Sequence, residues 1–112
     1  MTRMAYRIVC AECRCDWLAQ PQPPIVGVLS EIAAERARQD GKWGGPEHDD
    51  AKTTAEFADL IQAYATWART MDWMGSPQKT RRRLLQVAAI AAAAVESHDR
   101  KHPQQRATEE QR

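Results

Sequence analysis

Residues 84–95, Leu84-Leu85-Gln86-Val87-Ala88-Ala89-Ile90-Ala91-Ala92-Ala93-Ala94-Val95, decide the fold, because every one of them except Gln86 is apolar. A helix that is apolar all round has to be covered all round. The rest of the chain supplies only short partner helices, and small alanine side chains let another backbone approach closely. The expectation is a homodimer or larger assembly with residues 84–95 at its centre. Arg100 and Lys101 follow, favourably placed at the negative end of the helix, and Pro103 stops it. Beyond it, Gln104 to Arg112 is polar and reads as a disordered tail.

Working back toward the N-terminus, Gly75 separates this helix from another, and Ser76-Pro77 restarts the chain with a capping hydroxyl and a proline at the first helical position. The preceding helix opens at Thr53-Thr54-Ala55-Glu56, the pattern of a capping box. Phe57, Leu60, Ile61, Tyr64, Ala65, Ala68 and Met71 then recur at helical spacing. A first helix is predicted over residues 25–40, with Val28, Leu29, Ile32, Ala33 and Arg36 facing inward and Glu31, Glu35, Arg38 and Gln39 on another face. Gly41, Gly44, Gly45 and Pro46 break it, leaving a loop Lys42-Trp43-Gly44-Gly45-Pro46-Glu47-His48-Asp49-Asp50. Before the first helix, Pro21, Pro23 and Pro24 mark a linker. The domain plan is therefore a cysteine-containing leader and linker over 1–24, an all-α three-helix bundle over 25–102, and a tail over 103–112.

Composition narrows the class of function only a little. A chain of 112 residues is one modest domain. With 16 Lys and Arg against 15 Asp and Glu, the net charge of +1 argues against a dedicated nucleic-acid binder. No apolar run reaches membrane-spanning length, and the start MTRMAYRIVCAEC lacks the layout of a signal peptide. A cytoplasmic protein follows, in which Cys10, Cys13 and Cys15 stay reduced or bind metal. Cys10-x-x-Cys13-x-Cys15 together with His98-x-x-x-His102 supplies zinc-type ligands, although the two halves are distant in sequence. The plainer reading is three thiols in a flexible leader.

Three further groups invite chemistry. Glu31 and Glu35 stand one helical turn apart and can share a divalent cation, with Arg36 and Arg38 beside them to hold phosphate; the alternative is a solvated face of Glu–Arg pairs. In the loop, glycines permit close approach of a ligand, Trp43 offers a stacking face, and His48, Asp49 and Asp50 concentrate polar groups; otherwise it is a turn in which Asp49 or Asp50 caps the next segment. Gln86 needs a partner if buried, for which Asp59 or Gln62 is a candidate. Arg81-Arg82-Arg83 either binds phosphate or is solvated.

Three patches read together carry a resemblance. Residues 31–44, EIAAERARQDGKWG, then His48-Asp49, then residues 83–91, RLLQVAAIA, are similar to small phage and prophage proteins described as MazG-like. The resemblance covers about residues 28–100 and implies an all-α, oligomeric fold. It also implies magnesium-dependent cleavage of nucleoside triphosphates to monophosphate and pyrophosphate, with acidic pairs on two successive helices holding the metal. Those pairs fall at Asp59 and Gln62 and at Arg83 and Gln86, where only Asp59 is a carboxylate. Magnesium needs hard oxygen ligands in near-octahedral array. The expectation is thus binding of a nucleotide or nucleotide-derived signal without efficient hydrolysis, by Glu31, Glu35, Arg38, Gln39, Lys42, Trp43, His48, Asp49, Asp50, Asp59 and Arg83, as a phage protein blunting a host defence would do. Two alternatives stand beside it. One is a magnesium-dependent pyrophosphohydrolase with a rearranged site of Glu31, Glu35, His48, Asp49, Asp50 and Asp59. The other is a protein-interaction module that inhibits a host protein.

Overall fold

The computed structural model describes residues 23–103, and among them every regular element is helical. The elements are α1 (Pro24–Trp43), α2 (Gly45–Asp50), α3 (Thr54–Trp73) and α4 (Pro77–Lys101). The all-α class is as expected from the sequence. The cysteine leader and the polar tail after Pro103 lie outside the described residues.

Helices α3 and α4 form an antiparallel hairpin. Phe57, near the start of α3, clusters with Ile90 and Ala93 in the second half of α4, while Trp67 farther along α3 meets Arg83 near the start of α4. Leu60, Ile61, Tyr64 and Ala94 pack around that cluster. Ala68 is buried and Met71 half-buried on the same stripe of α3, but Ala65 faces solvent. The capping box forms as read: Thr53 Oγ1 accepts from the backbone N–H of Glu56, and Thr53 N–H donates to Glu56 Oε1. At the far end, Gly75 adopts φ +77°, which ordinary residues resist, and Ser76 N–H donates to the Met71 carbonyl at 3.0 Å. Ser76 does not cap α4 through its hydroxyl; its carbonyl instead accepts from the Thr80 hydroxyl at 2.8 Å.

On α4 the buried positions are Gln86, Ala89, Ile90, Ala93 and Ser97, a single stripe at intervals of three and four. One chain therefore covers one face of this helix. Leu84 and Val95 remain 54% and 61% exposed. The buried amide of Gln86 is satisfied from its own helix, by Arg83 Nη1 at 2.8 Å, rather than by Asp59 or Gln62, both of which point to solvent.

Helix α1 departs from expectation in two ways. It passes through Gly41, since an exposed glycine costs a helix only about 1 kcal/mol relative to alanine, and ends at Trp43. Gly44 at φ +110° and Gly45 at φ +70° make the actual break. The loop expected after it is largely α2, with Pro46 in its first turn. The inward arc is also more polar than its apolar spacing suggested. Leu29 and Ala33 are exposed, whereas Glu35 and Arg36 are half-buried and Gln39 is buried. Ile32, Glu35, Arg36 and Gln39 fall within an arc of about 100° at 100° per residue, and Ala33 lies outside it.

Candidate functional site

Helix α1 and the start of α2 place a tryptophan beside the open side of the hairpin core. Trp43 is the last residue of α1, and the two left-handed glycines after it turn the chain sharply into α2. The result is a cleft of about 310 Å³ lined by Trp43, His48, Asp49, Lys52, Phe57, Leu60, Tyr64, Ile90 and Ala93. The buried Phe57–Ile90–Ala93 cluster supplies its floor. Its size lies at the lower end of the range for small-molecule sites, which are commonly apolar with a few placed polar groups.

The polar groups come from α2 and the segment after it. His48 Nε2 contacts Lys52 Nζ, four positions on and just past the end of α2. Lys101 Nζ reaches the Lys52 carbonyl at 2.8 Å, and Lys42 Nζ lies 5.1 Å from the centre of the Trp43 ring. Asp49 is only 8% exposed, and its Oδ2 lies 3.8 Å from Arg36 Nη2, beyond hydrogen-bond reach. Asp50 accepts from the Ser97 hydroxyl at 2.8 Å and from the guanidinium of Arg100 at 2.7 to 3.0 Å. Those bonds hold the Asp50 carboxyl below its ordinary range, the one from Arg100 most of all. Neither aspartate caps the segment that follows; Thr53 does.

Arg36 is the hub that ties α1 to the rest. It reaches Asp40 at 2.9 Å, Glu96 at 3.0 Å and Asp49 at 3.8 Å, with only 12% of its side chain exposed. Burial weakens its hold on the proton, but the hydrogen bonds and charges of Glu96 and Asp40 outweigh this and raise its pKa. The acids expected to share a cation are occupied by arginines instead. Glu31 takes Arg81 at 2.9 Å, and Glu35 takes Arg38 at 2.8 Å and Gln39 at 3.1 Å. The hydrogen bond from Arg81 lowers the pKa of Glu31, and that from Arg38 lowers the pKa of Glu35. These are the Glu–Arg pairs of the plainer reading.

Of the expected ligand-binding residues, the fold brings Trp43, His48 and Asp49 into the cleft and lays Lys42 on Trp43. Arg38 is exposed and bonded to Glu35. Glu31, Glu35, Gln39 and Asp50 are engaged in the contacts above. Asp59 is exposed on α3, and Arg83 lies 3.3 Å over the Trp67 ring while bonding Gln86. Among the described residues no three His, Cys, Asp or Glu side chains come together as metal ligands, so the rearranged acidic site is not assembled. His98 and His102 do stack, with ring centres 4.5 Å apart, but the cysteines proposed to join them fall outside the described residues. Sequence reasoning missed Lys52 and Tyr64 as cleft residues. Lys52 carried a signal, four positions after His48; Tyr64 read simply as core. Comparison with protein-family profiles, characterised proteins and solved structures finds no match for this chain.

Proposed function

We propose that the cleft binds a nucleotide or nucleotide-derived signal and does not cleave it efficiently, in keeping with a phage-type MazG-like protein that sequesters such a molecule. The observation carrying this reading is the cleft itself: Trp43 and Tyr64 border an apolar floor, with the His48–Lys52 pair among the lining residues. Aromatic faces stack on a planar base, and cationic groups meet phosphate. Weak hydrolysis is argued from the four positions where the resemblance calls for acids. There Arg83 donates to Gln86, and Asp59 stands exposed as the single carboxylate. A guanidinium in that place opposes a magnesium ion and the activated water it would supply. Thermal-shift measurement over a panel of nucleotides and cyclic nucleotides, with and without magnesium, is the direct test, since a ligand that binds only the folded state raises the melting temperature. At least one nucleotide should stabilise the protein, and Trp43→Ala should abolish that gain while keeping the helical circular dichroism. If none does, the reading fails; magnesium-dependent pyrophosphate release at about 1 per second or faster would make the protein an enzyme.

We also infer self-association through α4. Leu84 and Val95 are more than half exposed on a helix whose other apolar residues are buried or half-buried, and small alanines lie between them. Light scattering at micromolar concentration should show a dimer or larger species, and Ala92→Glu should dissociate it, because an unpaired charge is costly in an apolar interface. A folded wild-type monomer would reject the inference.

A further inference from the structure

We propose that His48 and Lys52 form the phosphate subsite of the cleft, which makes the ligand a single phosphorylated nucleoside with its base against Trp43. This rests on the nucleotide reading of the cleft and assigns its polarity. Lys52 is an ammonium whose contact within the cleft is another base, His48 Nε2, rather than an acid. With Lys52 donating, Nε2 of the imidazole has to accept, and the ammonium keeps further N–H donors for a ligand. An oxyanion entering between them gives both nitrogens a shared acceptor, and charge-assisted bonds of that kind are the stronger class.

Of the carboxylates nearest this corner in sequence, Asp50 is held by Arg100 and Ser97, Asp49 faces Arg36 at 3.8 Å, and Glu47 is exposed to solvent. Lys101 adds a cation at the Lys52 carbonyl. Elsewhere the cleft is apolar, with Phe57, Leu60, Ile90 and Ala93 beneath and Tyr64 and Trp43 bordering it. A ligand that is apolar and planar over most of its area and anionic at one end matches that division. The volume of about 310 Å³ suits one base with its sugar phosphate better than a dinucleotide.

The test compares the four ribonucleoside 5′-monophosphates with their parent nucleosides and with inorganic phosphate, by calorimetry and by the His48 imidazole NMR signals. For the best monophosphate, affinity should exceed that of its nucleoside by about tenfold or more, the usual scale of a charge-assisted contact. Lys52→Ala and His48→Ala should each remove most of that advantage while changing nucleoside affinity less than about twofold. Inorganic phosphate should shift the His48 signals in the wild type and not in Lys52→Ala. If nucleoside and monophosphate bind equally, or if Lys52→Ala keeps the full preference, the subsite is wrong while the cleft reading stands. If neither binds, both are wrong.

Discussion

Two regions of this chain are held together by different physics. The α3–α4 hairpin is an apolar zipper in which Phe57, Ile90 and Ala93 exclude water. The arm made by α1 and α2 is fastened to α4 through charged groups, with Arg36 reaching Glu96, Glu31 reaching Arg81 and Asp50 reaching Arg100. Hydrophobic burial is non-directional and cooperative; ion pairs depend on geometry, salt and pH. The cleft lies where the two meet, taking its floor from the hairpin and Trp43 from the arm. An arrangement of this kind gives a stable base and a more easily displaced wall, which suits a site that has to admit a ligand.

Removing the zipper should have the largest effect. Phe57→Ala deletes the one aromatic side chain of the buried cluster, and Phe→Ala changes in cores cost about 3–5 kcal/mol. Because Phe57 also lines the cleft, a loss near the lower end, about 3 kcal/mol, is expected. Urea unfolding followed by circular dichroism measures it. A loss below about 1 kcal/mol would place the main source of stability elsewhere.

Breaking the arm at its hub should cost less. Arg36→Met removes the hydrogen bonds to Asp40 and Glu96 and takes a cation away from the buried Asp49 carboxylate, a loss of about 1–3 kcal/mol. Adding Asp49→Asn should recover part of that loss, because the stranded charge is removed. Urea melts of the two single variants and the double variant make a thermodynamic cycle. Strict additivity would mean that Arg36 and Asp49 are not coupled and that Arg36 acts through its other contacts.

The start of the hairpin comes next in size. Thr53→Ala removes the side-chain half of the capping box and should destabilise by about 1 kcal/mol. Thr53→Ser should be close to neutral, since it keeps the hydroxyl acceptor. Equal losses for both would point to the Thr53 methyl group instead of the cap.

How much was legible in the sequence follows the same division. The hairpin reads from spacing: Phe57, Leu60, Ile61, Tyr64 and Ala68 announce α3, and Thr53 with Glu56 announces its start. The arm does not, because apolar periodicity is blind to a face built from Glu35, Arg36 and Gln39. Gly41 looked like a stop and is not one, while Gly44 and Gly45 supply the positive φ values that turn the chain. The candidate site was legible where chemistry is conspicuous, at Trp43 and His48. It was illegible where an ordinary residue gains meaning only from its neighbour, as Lys52 does beside His48.

The smallest effect should come from acid, and it should appear in the arm before the hairpin. Hydrogen bonds from Arg38, Arg81 and Arg100 depress the folded pKa values of Glu35, Glu31 and Asp50 respectively. A carboxyl whose folded pKa lies below its unfolded value contributes stability that is fully present above the unfolded pKa, about 4.3 for Glu and 3.9 for Asp. That contribution is lost as pH falls through the folded value. Glu31 and Asp50 are largely solvated and Glu35 is half-buried, so the first two pairs in particular are weak and screened by salt. Hydrogen exchange read as a ratio of arm amides to hairpin amides at the same pH removes the intrinsic acid dependence of exchange. The ratio should be flat from pH 7 to about 5 and rise between about pH 4 and pH 3, where carboxylates take up protons. Salt at about 1 M, which shortens the screening length to about 3 Å, should raise it at neutral pH as well. A ratio unchanged by acid and by salt would show that the arm is not held by its ion pairs, and the contrast between the two regions would then fail.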